Sequence, residues 1–259
     1  MNHSHIDPAS AAATVTDAAP SGAPADVALV QDLALANRIL FRERVLDAFG
    51  HVSVRHDKRP DRFLLARNMA PGLVTTNDIV EFDLDGQAVN ANGRPVYLER
   101  FIHGEIYRAR PDVMAVVHSH SPAVIPFGLL RNVPFRAVCH MSGFIGICAP
   151  VFEIRETAGD ATALLITSNE LGAALAKTLG DQNVVLMRGH GSTVVAPSLK
   201  HAVYRAIYTE VNAKLQADVM RLGEYTALSE GETRTTQQVV EGQVDRAWNL
   251  WKMQVQGEI

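Results

Sequence analysis

His118-Ser119-His120 closes an apolar run, Val113–Val117, in a 259-residue chain with ten histidines. Residues two apart on a strand project from the same face, so the two imidazoles of this triplet enter one space. Paired imidazoles of this kind chelate divalent cations such as Zn, Mn, Fe or Co. Two other segments offer partners. Glu99 and His103 lie four apart on a stretch of helical periodicity and share a face. His190 stands between Gly189 and Gly191, just after the apolar run Val184–Met187. Glu99, His118, His120 and His190 together form a candidate site for one divalent cation per subunit, with three borderline ligands and one hard one.

Spacing alone is weak. The N-terminal segment carries another His-x-His, His3-Ser4-His5, with no apolar strand before it. The plain alternative for His118 and His120 is a pair of hydrogen-bonded or exposed histidines, and for His190 a simple glycine turn. What distinguishes the three is position at strand ends, where loops build sites. His103 is either core or a support for the ligands. His56 and His201, set among polar and charged residues, are expected at the surface. No Gly-x-Ser-x-Gly is present and neither cysteine has a plainly electropositive setting, so nucleophilic catalysis has no support.

Several elements must position these residues. Apolar spacing predicts a helix over residues 26–49, stopped by Gly50. Strands are expected at His51–Arg55, Phe63–Ala66 and Ile79–Asp83, with turns at Asp85-Gly86 and Asn92-Gly93. A helix beginning at Glu99 ends near Pro111 and feeds the buried strand Val113–Val117. Ser121-Pro122 opens a short helix to residue 130, and residues 133–151 read as short strands and turns. A helix over Asn169–Leu179, a strand over Asn183–Met187, an extended Val194–Ala196 and a long helix over 198–222 follow. A polar link (SEGETRTT) precedes a last helix over about 237–254, where Trp248 and Trp251 read as packing anchors. Helices and strands alternate without a regular βαβ period, which predicts a mixed sheet with helices on its faces.

Bulk composition bounds the rest. The length suits one large domain, with residues 1–24 as a disordered tail and 25–259 as the folded unit, including a helical extension from about 223. A net charge of −4 gives no case for nucleic acid. No stretch approaches the roughly 18 apolar residues of a membrane span, and no secretory signal pattern opens the chain. Cys139 and Cys148 are too few for a disulfide framework and lack metal-finger spacing, as expected of a cytoplasmic protein.

Glu99 ahead of ARPDVMAVVHSHS, the later glycine-flanked histidine and Gly50-His51-Val52-Ser53-Val54-Arg55 resemble the class II aldolase/adducin superfamily over residues 29–222. The resemblance implies a three-layer α/β/α sandwich around a mixed, mainly antiparallel sheet, and a homotetramer with sites at subunit interfaces. It also implies a divalent metal on His118, His120 and His190, with Glu99 as the acid/base that ligates the metal when no substrate is bound. Adducin-like members lack the site and are structural; this chain keeps every metal-site residue.

The departures are informative. The family's sugar-phosphate aldolases hold phosphate with three loops, usually Gly-Asn-x-Ser, Thr-Pro-Ser/Thr-Gly and a Ser pair before the glutamate. Here His51 replaces the Asn, Ala66-Arg67-Asn68-Met69 replaces the second loop, and Tyr97-Leu98 replaces the Ser pair. Backbone donors and small hydroxyls suit phosphate; Tyr, Leu and Met suit a flat, partly apolar substrate. His51, Asn68, His140 and Arg67 are substrate-binding candidates, Arg67 as a bidentate partner for a carboxylate. The motifs ERFIHGEIYRARPDV, VVHSHSPAVIPFG, CHMSGFIG and LMRGHG are similar to the branch of metal-dependent decarboxylases of hydroxylated aromatic dicarboxylates. The expected activity is therefore a carbon–carbon lyase releasing carbon dioxide from a small aromatic acid. An aldolase or epimerase on a hydroxy-carbonyl or sugar-phosphate substrate, and a non-catalytic adducin-like binding module, are the alternatives.

Overall fold

β-branched and aliphatic runs bounded by turn residues make strands because they pack well on a pleated surface buried from both sides. In the computed structural model, which describes residues 22–256, such runs form β1 (His51–Arg55), β2 (Arg62–Ala66), β3 (Ile79–Asp83), β4 (Ala115–Ser119), β5 (Val151–Phe152), β6 (Val184–Met187) and β7 (Gly191–Ala196). They join one sheet in the order β3-β2-β1-β4-β7-β6-β5. Every pairing is antiparallel except the short parallel contact of β5 with β6. Residues 1–21 and 257–259, which hold most of the expected tail together with His3 and His5, lie outside the described residues.

The helices are α1 (Val27–Arg42), α2 (Arg100–Ala109), α3 (Ile125–Leu129), α4 (Arg155–Ala158), α5 (Asn169–Leu179), α6 (Leu199–Leu222), α7 (Glu230–Glu241) and α8 (Val244–Gln256). α1, α6 and α8 pack together, with α1 against β1 and α6 against β4 and β7. α2 and α5 pack on each other, with α5 also against β5 and β6. The result is the expected three-layer α/β/α sandwich with a mixed, mostly antiparallel sheet. Side-chain oxygens of Asp26, Ser168 and Ser198 cap α1, α5 and α6, supplying acceptors for first-turn N–H groups that have no intrahelical partner.

Several boundaries differ from expectation. α1 stops at Arg42, well short of residue 49: Arg44 takes φ 60 and the chain turns, with the Val45 and Leu46 amides both reaching Leu40 O. Val45 and Leu46 are buried in that turn, so apolar spacing runs on past the end of the helix. β4 begins at Ala115, two residues later than Val113, and ends at Ser119 within the expected His118-Ser119-His120, with His118 inside the ladder. The helix expected over 121–130 shrinks to α3, after a turn at 121–124. The supposed polar link is the first part of α7, opened by a reciprocal cap in which Ser229 Oγ accepts from Glu232 N and Glu232 Oε2 accepts from Ser229 N. His56 is buried, with only 1% of its surface exposed, and its Nδ1 accepts from Lys58 N. It sits at the β1–β2 turn, where its N donates to Arg62 O and its O accepts from Arg59 N, a placement its polar neighbours concealed.

Candidate metal centre

The sheet register assembles the site. β1, β4 and β7 are neighbours, with His51 opposite His118 and His118 opposite Thr193. Directly opposed residues of an antiparallel pair share a face, so His51 and His118 project together. Two glycines let the flanking chain come close. Gly50 has φ +84, and a Cβ there would lie 2.9 Å from His118 O. A Cβ on Gly191 would fall onto the Ser119 carbonyl oxygen. β7 therefore starts against the histidine strand, and the β6–β7 turn, closed by His190 N donating to Met187 O, hangs His190 beside the end of β4.

Glu99 enters from the opposite layer. It is the residue before α2, not part of it, and its side chain makes no cap bond. Instead Oε1 accepts from Ile166 N at 3.0 Å, in the segment leading to α5, and Oε2 lies 3.5 Å from both His118 Nε2 and His190 Nε2. His120 Nε2 is 3.0 Å from His118 Nε2 and 3.0 Å from His190 Nε2. One ligand atom from each of the four residues falls within 4.8 Å of the others.

The donor set fits a cation better than a proton network. His118 Nδ1 lies 3.1 Å from Ser192 O. A carbonyl only accepts, so Nδ1 carries the proton and Nε2 presents a lone pair to the cluster. Burial lowers the pKa of His118 against the pull of Glu99, and burial with the neighbouring His118 and His190 pushes His120 down to about 4. Burial alone would raise Glu99, but its contacts with His118 and His190 outweigh that and hold the carboxyl well below the usual range. Three imidazole nitrogens and a carboxylate oxygen gathered this closely are the ligand set of a single Zn, Mn, Fe or Co ion.

A pocket of about 320 Å³ opens on this cluster, lined by His51, Asn68, Met69, Tyr97, Glu99 and His120 among others. Burial raises the Tyr97 phenol to about 12, so it stays protonated and donates to Met69 O. Among the substrate-binding candidates, His51 and Asn68 are on the pocket wall. Arg67 is not; its Nε donates to Asp78 Oδ1 at 2.7 Å. His140 is exposed on the 3₁₀ turn His140–Ile145, which packs on α6 and α7 away from the pocket of its own chain.

Tyr97 and Leu98 stand on the pocket wall as their place ahead of Glu99 suggests, whereas the Leu165–Ile166 segment carries no signal in the sequence. Nor does the sequence single out the buried chain from His51 through His103 and Ser53 to Tyr107. A signal for it exists: Ser53 is two along β1 from His51, and Tyr107 is four along α2 from His103, so each pair shares a face.

The family model for the class II aldolase and adducin N-terminal domain matches residues 31–217. The decarboxylase tropJ of Talaromyces stipitatus is 41% identical over 241 residues, covering 84% of this chain and 90% of that protein. The 3,4-dihydroxyphthalate decarboxylase of Arthrobacter keyseri is 33% identical over 205 residues, 74% of this chain and 78% of its own. Among solved structures, an aldolase II superfamily protein from Pseudomonas syringae superposes with TM-score 0.74 at 21% identity, covering 92% of this chain and 95% of that one.

Proposed function

Since the chain belongs to the class II aldolase and adducin family, we propose that it is a metal-dependent carboxy-lyase acting on a hydroxylated aromatic mono- or dicarboxylate. The observation that carries this is the convergence of Glu99 with three histidines on a pocket walled by Tyr97, Leu98 and Met69. Relatives named as decarboxylases, one of them for 3,4-dihydroxyphthalate, support the substrate class.

His118, His120 and His190, with Glu99, would hold the cation, which supplies a Lewis acid to stabilise the negative charge left when carbon dioxide departs. The rest falls to the chain. Glu99 is ionised at rest, so it begins as a base: it takes the proton of the substrate's ring hydroxyl. Glu99 hands that proton to the ring carbon bearing the carboxylate, leaving a ring ketone; the C–C bond then breaks, carbon dioxide leaves, and the electron pair restores the aromatic ring with its charge on the ring oxygen, which regains a proton from solvent. The Ile166 amide on Oε1 leaves Oε2 to face both the histidines and the substrate. Tyr97, Leu98 and Met69 exclude water and offer flat apolar contact, and Asn68 is at hand for a polar substituent.

The reading extends to a cytoplasmic homotetramer. Free Cys139 and Cys148 agree with a reducing compartment, and among the described residues no helix is long and apolar enough to cross a membrane. Exposed Phe41, Phe49, Leu129 and Ile147 offer apolar surface for assembly. His140 and Arg67 would then serve a site only across a subunit boundary or after release from Asp78. Light scattering reports the mass directly.

The deciding experiment measures carbon dioxide release by metal-loaded protein from a panel of hydroxylated benzoates and phthalates, with sugar phosphates and 4-hydroxy-2-oxo acids run in parallel. Metal-dependent carbon dioxide release is expected. A carbonyl product from the second panel, with none from the first, would make the protein an aldolase.

A further inference from the structure

A second cavity, of about 450 Å³, also has His120 on its wall. The chain between α1 and β1 borders both spaces: residues 44–47 line this cavity, and residues 48–51 line the pocket that opens on Glu99. Val45, Leu46 and Pro122 give the second cavity apolar sides, while Arg42, Arg44 and Asp47 bring charge to it. The carboxy-lyase scheme uses none of these residues.

Two independent observations set Arg44 apart. The first is its backbone. Glu43 caps α1, and Arg44 then takes φ 60, which turns the Val45 and Leu46 amides back to Leu40 O. Side chains are disfavoured in that left-handed conformation, which glycine adopts freely and usually supplies at a helix end. Arginine has no special tolerance for it, so its presence carries a backbone cost. The second observation is its charge. Arg42 reaches Gln254 O through Nη1, but the Arg44 guanidinium has no hydrogen-bond or ion-pair partner among the described residues. Asp47, three residues on and bordering the same cavity, does not pair with it; Asp47 Oδ1 accepts from Phe49 N instead. Arginines that tie this fold together are paired, Arg67 with Asp78 and Arg205 with Glu241. An unpaired arginine on open surface needs no explanation. One kept at a backbone cost, on a cavity that shares a wall with a candidate metal ligand, does.

We propose that Arg44 binds the second carboxylate of the substrate and so gives the site its preference for dicarboxylates. The reacting carboxylate belongs beside Glu99 and the three histidines. The second enters the cavity that shares His120, where the planar guanidinium meets it with two parallel N–H···O bonds. Val45, Leu46 and Pro122 cover the apolar edge of the ring. The sequence offered Arg67 for this duty, but Asp78 already holds that side chain. Which carboxylate reacts rests on the carboxy-lyase reading; binding of a dianion through Arg44 does not.

Isothermal titration of the zinc-loaded protein with phthalate and with benzoate reads the second carboxylate without any turnover. Phthalate should bind more tightly. Arg44→Gln should weaken phthalate about tenfold to a hundredfold, the weight of hydrogen bonds to a charged group, and leave benzoate unchanged. Equal losses for both ligands, or no loss for phthalate, overturn the proposal. Arg44→Gly should lose the same affinity while folding at least as stably as the parent, since the backbone cost is removed. A lower Tm together with parental phthalate binding would make Arg44 a structural residue and overturn the proposal. Carbon dioxide release from hydroxyphthalates that is indifferent to Arg44→Gln would leave the carboxy-lyase reading standing and remove the carboxylate site. Phthalate binding that depends on Arg44, with no carbon dioxide from any panel compound, would do the reverse.

Discussion

Two opposite influences act on the Glu99 carboxylate, both from within the site. Burial works against its charge, and His118 and His190 hold that charge in place. A carboxylate so poised can serve as ligand and as base, and the two duties separate by mutation. Glu99→Gln keeps an oxygen for the cation but cannot carry a proton. Turnover should fall by about 10²-fold or more, the usual weight of a general acid–base group, while metal content by elemental analysis stays near one per chain. Activity within tenfold of the parent would remove Glu99 from proton transfer. His118→Ala is the complementary change: Nε2 is lost, and with it the ligand whose tautomer Ser192 fixes. Its metal content should drop to background, and retention would refute the ligand assignment.

Among the elements, β7 is placed by sterics at its first residue. Gly191 does not have a positive φ, so its role is space and not backbone freedom. Gly191→Ala should therefore push β7 from β4, cost about 1–3 kcal/mol as overpacking does, and weaken metal retention through His190. A variant with parental Tm and metal content would show that the strand accommodates the methyl. Ser229→Ala is a control of opposite kind, since losing the α7 cap costs about 1 kcal/mol in a helix that packs on the His140–Ile145 turn and not on β1, β4 or β7, and should lower Tm without touching turnover. These elements explain what the amino-acid pattern could disclose. Apolar runs ending in His-x-His and Gly-His-Gly marked the strands and the ligands, because both signals are local. The end of α1 was hidden because Val45 and Leu46 keep helical spacing while burying in a turn. Glu99 reads as helical yet stands one residue before α2. The Ser53–His103–Tyr107 chain joins β1 to α2 across a layer, and no local pattern encodes which layer meets which. The Arg67–Asp78 pair depends on the turn before β3, so a cation that looked free for substrate is held by a neighbour.

At the scale of the molecule, His103 and His120 are kept uncharged by the fold, and that couples stability to acid. Free histidines titrate near 6.5, whereas burial keeps His103 down to about 3 and, with its neighbours, His120 down to about 4. Between those values the unfolded chain binds more protons than the folded one, so stability rises with pH there and is lost as pH falls. In chelated protein the Tm should decline from pH 6.5 to 5, above the range where ordinary carboxylates titrate. A flat profile would mean these rings are already charged in the fold.

Metal acts on the same balance from the other side. A cation that binds only the folded chain stabilises it by mass action, about 4 kcal/mol at a thousandfold excess over its dissociation constant. For a chain of this size each kcal/mol moves Tm by roughly 2–4 °C. Chelation at pH 7.5 should therefore lower Tm by roughly 10 °C, and adding back Zn or Mn should restore it. The gap should narrow toward pH 5, because protons and the cation compete for the same nitrogen lone pairs. Calorimetry at three pH values, with metal content measured on each sample, tests both trends together. Full removal of metal with no change in Tm at pH 7.5 would mean that Glu99, His118, His120 and His190 are held in place by the sheet register and their own packing alone, and that the cation adds nothing to the fold.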